Sequence, residues 1–158
     1  MAVVNDLVEI RWHARAGQGA KTAAQVLAMA FLRAGSYAQA FPEYGPERRG
    51  APLRAFTRAS SRPIRRHDSV TTPDVVVVLE PSLVDEVDVY DGLAEDGVVL
   101  IGDATSRDVN LVMLGAAARA LGAPPLAEVE AAAREVLGRK VDADTIHAAL
   151  EDGYSCRS

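Results

Sequence analysis

Thiols are nearly absent: the chain of 158 residues has one cysteine, Cys156, close to its end. An internal disulfide is thereby excluded, and so is an iron–sulfur cluster held by this chain alone, since such clusters usually take four thiolates. Aromatic residues make up only 5%, which leaves few platforms for stacking bases and, with the acidic balance, argues against an RNA-binding module. No apolar stretch approaches the roughly 20 residues needed to cross a bilayer. The opening Met1-Ala2-Val3-Val4-Asn5-Asp6 lacks the basic and long apolar regions of a secretory signal. A cytoplasmic protein with neither membrane nor nucleic-acid partner is expected. His13, His67 and His147 share no ligand-like spacing with one another or with Cys156, so no metal site is expected either.

What the chain does contain is an ordinary globular balance, 49% hydrophobic and 25% charged. A chain of this length buries roughly two thirds of its unfolded surface, so one domain spanning 1–158 is the default. The net charge of −5 is unevenly spread. Arg48, Arg49, Arg54, Arg58, Arg62, Arg65 and Arg66 share a stretch without a single acid. Such a block suits phosphate, an acidic partner subunit or nucleic acid, and equally a solvated hairpin.

Leu7 to His13 alternates and is rich in β-formers, so it reads as a strand running into the tight loop Ala14 to Ala20. Apolar residues then recur at helical spacing from Gln18 to Ala34, with Gly35 as C-cap. Tyr37 to Phe41 reads as a short strand, and Pro42 to Gly50 as a shaped proline-glycine loop. Leu53 to Ala59 and Pro63 to Arg66 are expected as an antiparallel hairpin around Ser60-Ser61. Asp74 to Leu79, almost continuously β-branched, has the signature of a strand covered on both faces. Pro81 suits the start of a short helix, Val98 to Ile101 a further strand, and Asn110 to Leu121 a helix stopped by Gly122. Glu128 to Leu137 and Asp144 to Leu150 close the chain as helices. The expected fold class is α/β, a three-layer α/β/α arrangement with a mostly parallel sheet and an inserted antiparallel hairpin.

Glycines between a first strand and a helix let backbone N–H groups approach an anion, and the helix N-terminus favours negative charge there. Gly17-Gln18-Gly19 is neither a dinucleotide fingerprint nor a P-loop, so a purely structural turn stands beside the phosphate seat. Glu43 and Glu47 are assigned no catalysis, because a Pro/Gly loop does not place residues four apart on one face. Glu80 lies where α/β sheets place ligand groups, yet it also suits helix entry before Pro81.

Taken in order, His13-Ala14-Arg15-Ala16-Gly17-Gln18-Gly19, Tyr37-Ala38-Gln39-Ala40-Phe41-Pro42, Glu47-Arg48-Arg49-Gly50-Ala51-Pro52, Pro73-Asp74-Val75-Val76-Val77-Val78 and Asn110-Leu111-Val112-Met113-Leu114-Gly115-Ala116 form a distinctive series. Over roughly Glu9 to Tyr154 the chain resembles the gamma subunit of pyruvate and related 2-oxoacid:ferredoxin oxidoreductases. The resemblance implies an enzyme that oxidatively decarboxylates a 2-oxoacid, most often pyruvate, on thiamine diphosphate. Electrons leave through iron–sulfur clusters and an acyl-coenzyme A is released. It further implies that thiamine diphosphate, magnesium and the clusters belong to alpha, beta and delta (ferredoxin-like) type subunits, and that this chain carries no catalytic residue. Coenzyme A contacts carry over to Arg15, Gly17, Gln18, Gly19, Arg48, Arg49 and Asn110. In agreement, thiamine sites of this kind use adjacent asparagines, and the two present here, Asn5 and Asn110, are far apart. Two departures stand out. Ala14 and Ala16 replace usual glycines, and only Gly102 to Val109 separates Ile101 from Asn110, where the family generally carries a further βα unit. The alternative to a gamma subunit is a stand-alone nucleotide-binding or regulatory α/β domain.

Overall fold

The computed structural model describes residues 6–43, 50–103 and 105–155. In chain order the strands are β1 (Leu7–Arg15), β2 (Tyr37–Pro42), β3 (Pro52–Ser60), β4 (Val75–Val78) and β5 (Val98–Ile101). The helices are α1 (Ala20–Arg33), α2 (Val109–Leu121), α3 (Leu126–Leu137) and α4 (Ala143–Ser155), with a 3-10 turn at Pro81–Asp85. The α/β class expected from the sequence is what the chain adopts.

One sheet runs in the order β2-β3-β1-β4-β5. β1, β4 and β5 pair in parallel, whereas β3 lies antiparallel between β1 and β2. Four strands thus share a direction, but the sheet is mixed, because half of its pairings are antiparallel. The expected strand at Pro63 to Arg66 does not form, and these residues are irregular. Both edges of β3 are already paired, to β1 and β2, so no ladder is open to it. The antiparallel insert is instead β2 with β3.

α1 forms because small and apolar residues recur on one side, burying Ala20, Ala23, Ala24, Val26, Leu27, Ala30 and Phe31. It stops at Gly35, whose φ of +96° lets Ser36 N–H reach Phe31 O (3.0 Å) and Gly35 N–H reach Leu32 O (3.1 Å). That pair of bonds is a Schellman motif, and it satisfies carbonyls that the last turn leaves open. The core lies between the four helices and one sheet face, with Ile10, Trp12, Ala14, Ala55, Ala59, Val75 and Val77 at its base.

The second face differs along its width. Over β4 and β5 it is apolar, Val76 and Val78 packing on Leu83 and Val89 from the 3-10 turn and the segment after it. β4 is consequently covered on both sides, as its run of valines predicts. Over β1 and β3 the same face is polar yet buried. Arg58 donates to Glu9 Oε2 at 2.8 Å and to Gln39 Oε1 at 3.0 Å, while Arg11 donates to His13 Nε2 at 2.9 Å and to the carbonyls of Val89 (3.1 Å) and Asp91 (2.7 Å). Arg58 thus ties β3 to both neighbouring strands, and Arg11 ties the sheet to coil where no helix among the described residues covers it.

Candidate functional site

After β1 the chain enters α1 on the helical face; after β4 it enters the 3-10 turn on the other face. Adjacent parallel strands whose connections leave in opposite directions open a crevice at their carboxyl ends. Arg15 and the loop 16–19 form one wall, and Glu80 to Glu86 form the other.

The loop is shaped by its glycines and by Gln18. Gly17 and Gly19 have φ of +93° and +85°, values that side-chain-bearing residues avoid. No non-glycine among the described residues has positive φ, so Ala14 and Ala16 fit the loop without strain. Gln18 Oε1 accepts the Arg15 N–H at 2.7 Å, and Gln18 N–H donates back to Arg15 O at 3.2 Å, closing a tight turn. α1 therefore begins at a left-handed glycine with no side-chain cap, leaving its first N–H groups without an intrahelical partner. A Cβ on Gly17 would meet nothing within 4 Å, whereas one on Gly19 would stand 2.6 Å from Asn110 Nδ2. Asn110, in the first turn of α2, thus lies against the loop.

Arg15 bridges the crevice. It donates to Ser82 Oγ at 2.8 Å, to Glu86 Oε1 and Oε2 at 2.5 and 3.3 Å, and to Gly50 O at 3.1 Å. The hydrogen bond to Glu86 holds the guanidinium pKa up and the carboxyl pKa down. Glu80 accepts Ser82 N–H (3.1 Å) and Ser82 Oγ–H (2.8 Å), which hold its pKa down, and accepts Gln18 Nε2–H at 3.4 Å. The helix-entry reading of Glu80 is the one seen: it caps the 3-10 turn, and its contact with Gln18 joins the loop to that turn. Two carboxylates and one guanidinium line the crevice, so an incoming anion must take Arg15 from Glu86.

The structure brings Arg15, Gly17, Gln18, Gly19 and Asn110 together. Arg48 and Arg49 lie outside the described residues. On either side of that segment, Glu43 N–H donates to Arg54 O at 3.0 Å, its carboxylate pairs with Arg54, and Ala16 N–H donates to Ala51 O at 3.1 Å. Glu43 serves as that ion-pair partner. Sequence reasoning missed Ser82 and Glu86, whose only signal is their place just past the carboxyl end of a buried strand. His13 is a buried hydrogen-bond acceptor, with its pKa pushed down to about 4 by burial and by Arg11 and Arg54. No group of three or more His, Cys, Asp or Glu among the described residues is arranged to hold a metal ion, and no helix among them is long and apolar enough to cross a membrane.

Residues 9–108 match the family model for pyruvate ferredoxin/flavodoxin oxidoreductase. The pyruvate synthase subunit PorC of Thermotoga maritima is 41% identical over 186 aligned residues, covering 98% of this chain and 96% of the relative. The common gamma subunit of the pyruvate/ketoisovalerate oxidoreductases of Pyrococcus abyssi is 39% identical over 175, covering 92% and 95%. In structure, the chain superposes on the crystallised pyruvate oxidoreductase subunit PORC of Thermotoga maritima with a TM-score of 0.77, at 36% identity, over 95% of this chain and 96% of the other. An alignment of 186 positions against 158 residues also means that the first relative carries residues this chain lacks. Family model, full-length relatives and fold agree: the chain belongs to the pyruvate ferredoxin/flavodoxin oxidoreductase family, as a gamma-type subunit.

Proposed function

We propose that this gamma-type chain serves a 2-oxoacid:ferredoxin oxidoreductase complex by docking its other subunits and presenting the β1/β4 crevice to coenzyme A. Thiamine diphosphate, magnesium and iron–sulfur clusters sit in alpha, beta and delta-type partners, where the carbon–carbon bond is broken. Pyruvate is the proposed substrate of the complex, in keeping with the names of its relatives.

The observation that carries this reading is the convergence of Arg15, the uncapped start of α1 and Asn110 on one crevice. These groups fit an anion. N–H groups at a helix start and a planar guanidinium recognise phosphate oxygens, and the space above Gly17 allows close approach. In this arrangement Arg15 exchanges Glu86 for a phosphate of the coenzyme, and the Asn110 amide holds the loop in position. Glu80 and Glu86 oppose anions in the free chain, so tight binding is expected only in the assembled enzyme, where partner groups add to the site.

Calorimetry with coenzyme A, ATP and NAD, on the isolated chain and on the reconstituted complex, tests the reading. Coenzyme A should bind the complex, and Arg15→Ala should weaken it by tenfold or more with the KM for pyruvate unchanged. Tight nucleotide binding by the isolated chain would instead favour a stand-alone nucleotide-binding domain.

A further inference from the structure

The polar face of the sheet over β2 and β3 carries a second arrangement. Beyond β3, residues 61–73 cross the polar face as an irregular strap. The strap is anchored to the fold: Arg62 N–H donates to Ser60 Oγ at 3.0 Å, and Val70 is buried. Asp68 takes both Arg66 Nε–H (3.0 Å) and Nη2–H (2.7 Å), and its Oδ1 stands 3.7 Å from the buried Arg58 Nη2. Its cations are therefore held on a set backbone.

The arginines of the acid-free stretch have divergent fates. Arg54 is engaged by Glu43, Arg58 by Glu9 and Arg66 by Asp68. Arg62 and Arg65 are exposed, and no side-chain hydrogen bond or ion pair engages them among the described residues. On a chain of net charge −5 these two arginines, three residues apart on the strap, form a local positive strip.

Beside the strip runs a groove of about 710 Å³, lined by Gln39, Phe41 and Glu43 of the β2 side and by His67 and Ser69 of the strap. Tyr37, which pairs with Ser60 at the strap's origin, is 48% exposed. Arginine and aromatic residues are the types that anchor protein interfaces.

Resting on the reading of this chain as a subunit of a complex, we propose that the strip and groove receive an acidic extended segment of a partner subunit. Carboxylates of that segment meet Arg62 and Arg65, and an apolar side chain lies on Phe41. Charge selects this occupant. Two unengaged arginines are too few to hold a nucleic-acid backbone against an acidic chain. A second copy offers exposed carboxylates of its own, Glu95 and Asp96 among them, so self-association is an outcome of the test below.

The test uses separately purified subunits of the complex, with affinity of the gamma chain measured by calorimetry across a salt series. Arg62→Glu/Arg65→Glu should weaken assembly by tenfold or more and flatten its salt dependence. Arg62→Lys/Arg65→Lys should stay within a few-fold of wild type. Both variants should keep the wild-type Tm, because neither side chain is engaged within the chain. Unchanged affinity and salt dependence in the charge-reversed variant overturn the proposal. Salt-sensitive self-association of the isolated chain, abolished by the variant, makes a second copy the occupant and also overturns it. A wild-type chain that assembles with no thiamine- or cluster-binding subunit overturns the reading of the complex itself, and this proposal with it.

Discussion

The carboxamide of Asn110 lies against the Cα of Gly19, so that a methyl group on the glycine would stand 2.6 Å from Nδ2. Contact and backbone act together here, since Gly19 also has φ of +85°. Left-handed backbone costs a residue with a Cβ about 1–2 kcal/mol, before any clash. Gly19→Ala should therefore lower stability by at least that amount in chemical denaturation. Adding Asn110→Ala removes the clash and leaves the backbone cost, so the double variant should recover part of the loss. A double variant no more stable than Gly19→Ala would show that the two residues do not touch.

Glu9 and Arg58 make the second testable pair. Their side chains face each other across the β1–β3 register at 2.8 Å, with the arginine fully buried. Removing one partner of such a pair strands the other charge, at a cost of about 3–5 kcal/mol. Arg58→Ala should unfold at markedly lower denaturant, whereas Arg58→Met with Glu9→Leu should regain most of the stability. Arg58→Ala at wild-type stability would mean that water already reaches this face.

Much of the fold was legible because it is written locally. The helical spacing of α1 with Gly35 behind it, the valines of β4 and the Val98 to Ile101 strand each announce themselves within a few residues. The place of β3 does not, because insertion between β2 and β1 depends on pairing Arg58 with both Glu9 and Gln39, 49 and 19 residues away. A hairpin at Ser60-Ser61 is the local solution, and long-range pairing overrides it. The same holds for the crevice. Arg15, Gly17, Gln18 and Gly19 are adjacent in sequence and could be grouped, whereas Ser82 and Glu86 join them only through the parallel β1–β4 ladder.

Trp12, the chain's one tryptophan, is fully buried, and its indole N–H donates to Thr57 Oγ1 at 3.1 Å, which in turn donates to Ala24 O at 3.0 Å. This relay joins β1, β3 and α1. Thr57→Val keeps the shape but strands a buried donor, for which the cost is about 1–3 kcal/mol. The melting temperature should fall accordingly. Fluorescence should stay at the short wavelength of a buried indole, since the core remains closed; a shift to longer wavelength would show instead that water enters.

The response to acid follows from His13. Burial and the neighbouring Arg11 and Arg54 hold its folded pKa down at about 4, below the usual 6.5. The folded chain thus disfavours the proton that the unfolded chain accepts, so the contribution is fully present above pH 6.5 and is lost as pH falls towards 4. Between pH 7 and 5 the loss amounts to about 2 kcal/mol. The exposed His147 acts in the opposite sense. Its hydrogen bond to Glu130 raises its pKa, adding stability below 6.5 that disappears as pH rises through the folded value. Exposure keeps that contribution small, so net stability should fall from pH 7 to 5. His13→Gln, which can still accept the Arg11 hydrogen bond but does not titrate, should remove most of this fall in denaturation curves at the two pH values. His147→Gln should leave it in place or deepen it slightly. A fall that persists in His13→Gln would assign the acid sensitivity to other groups.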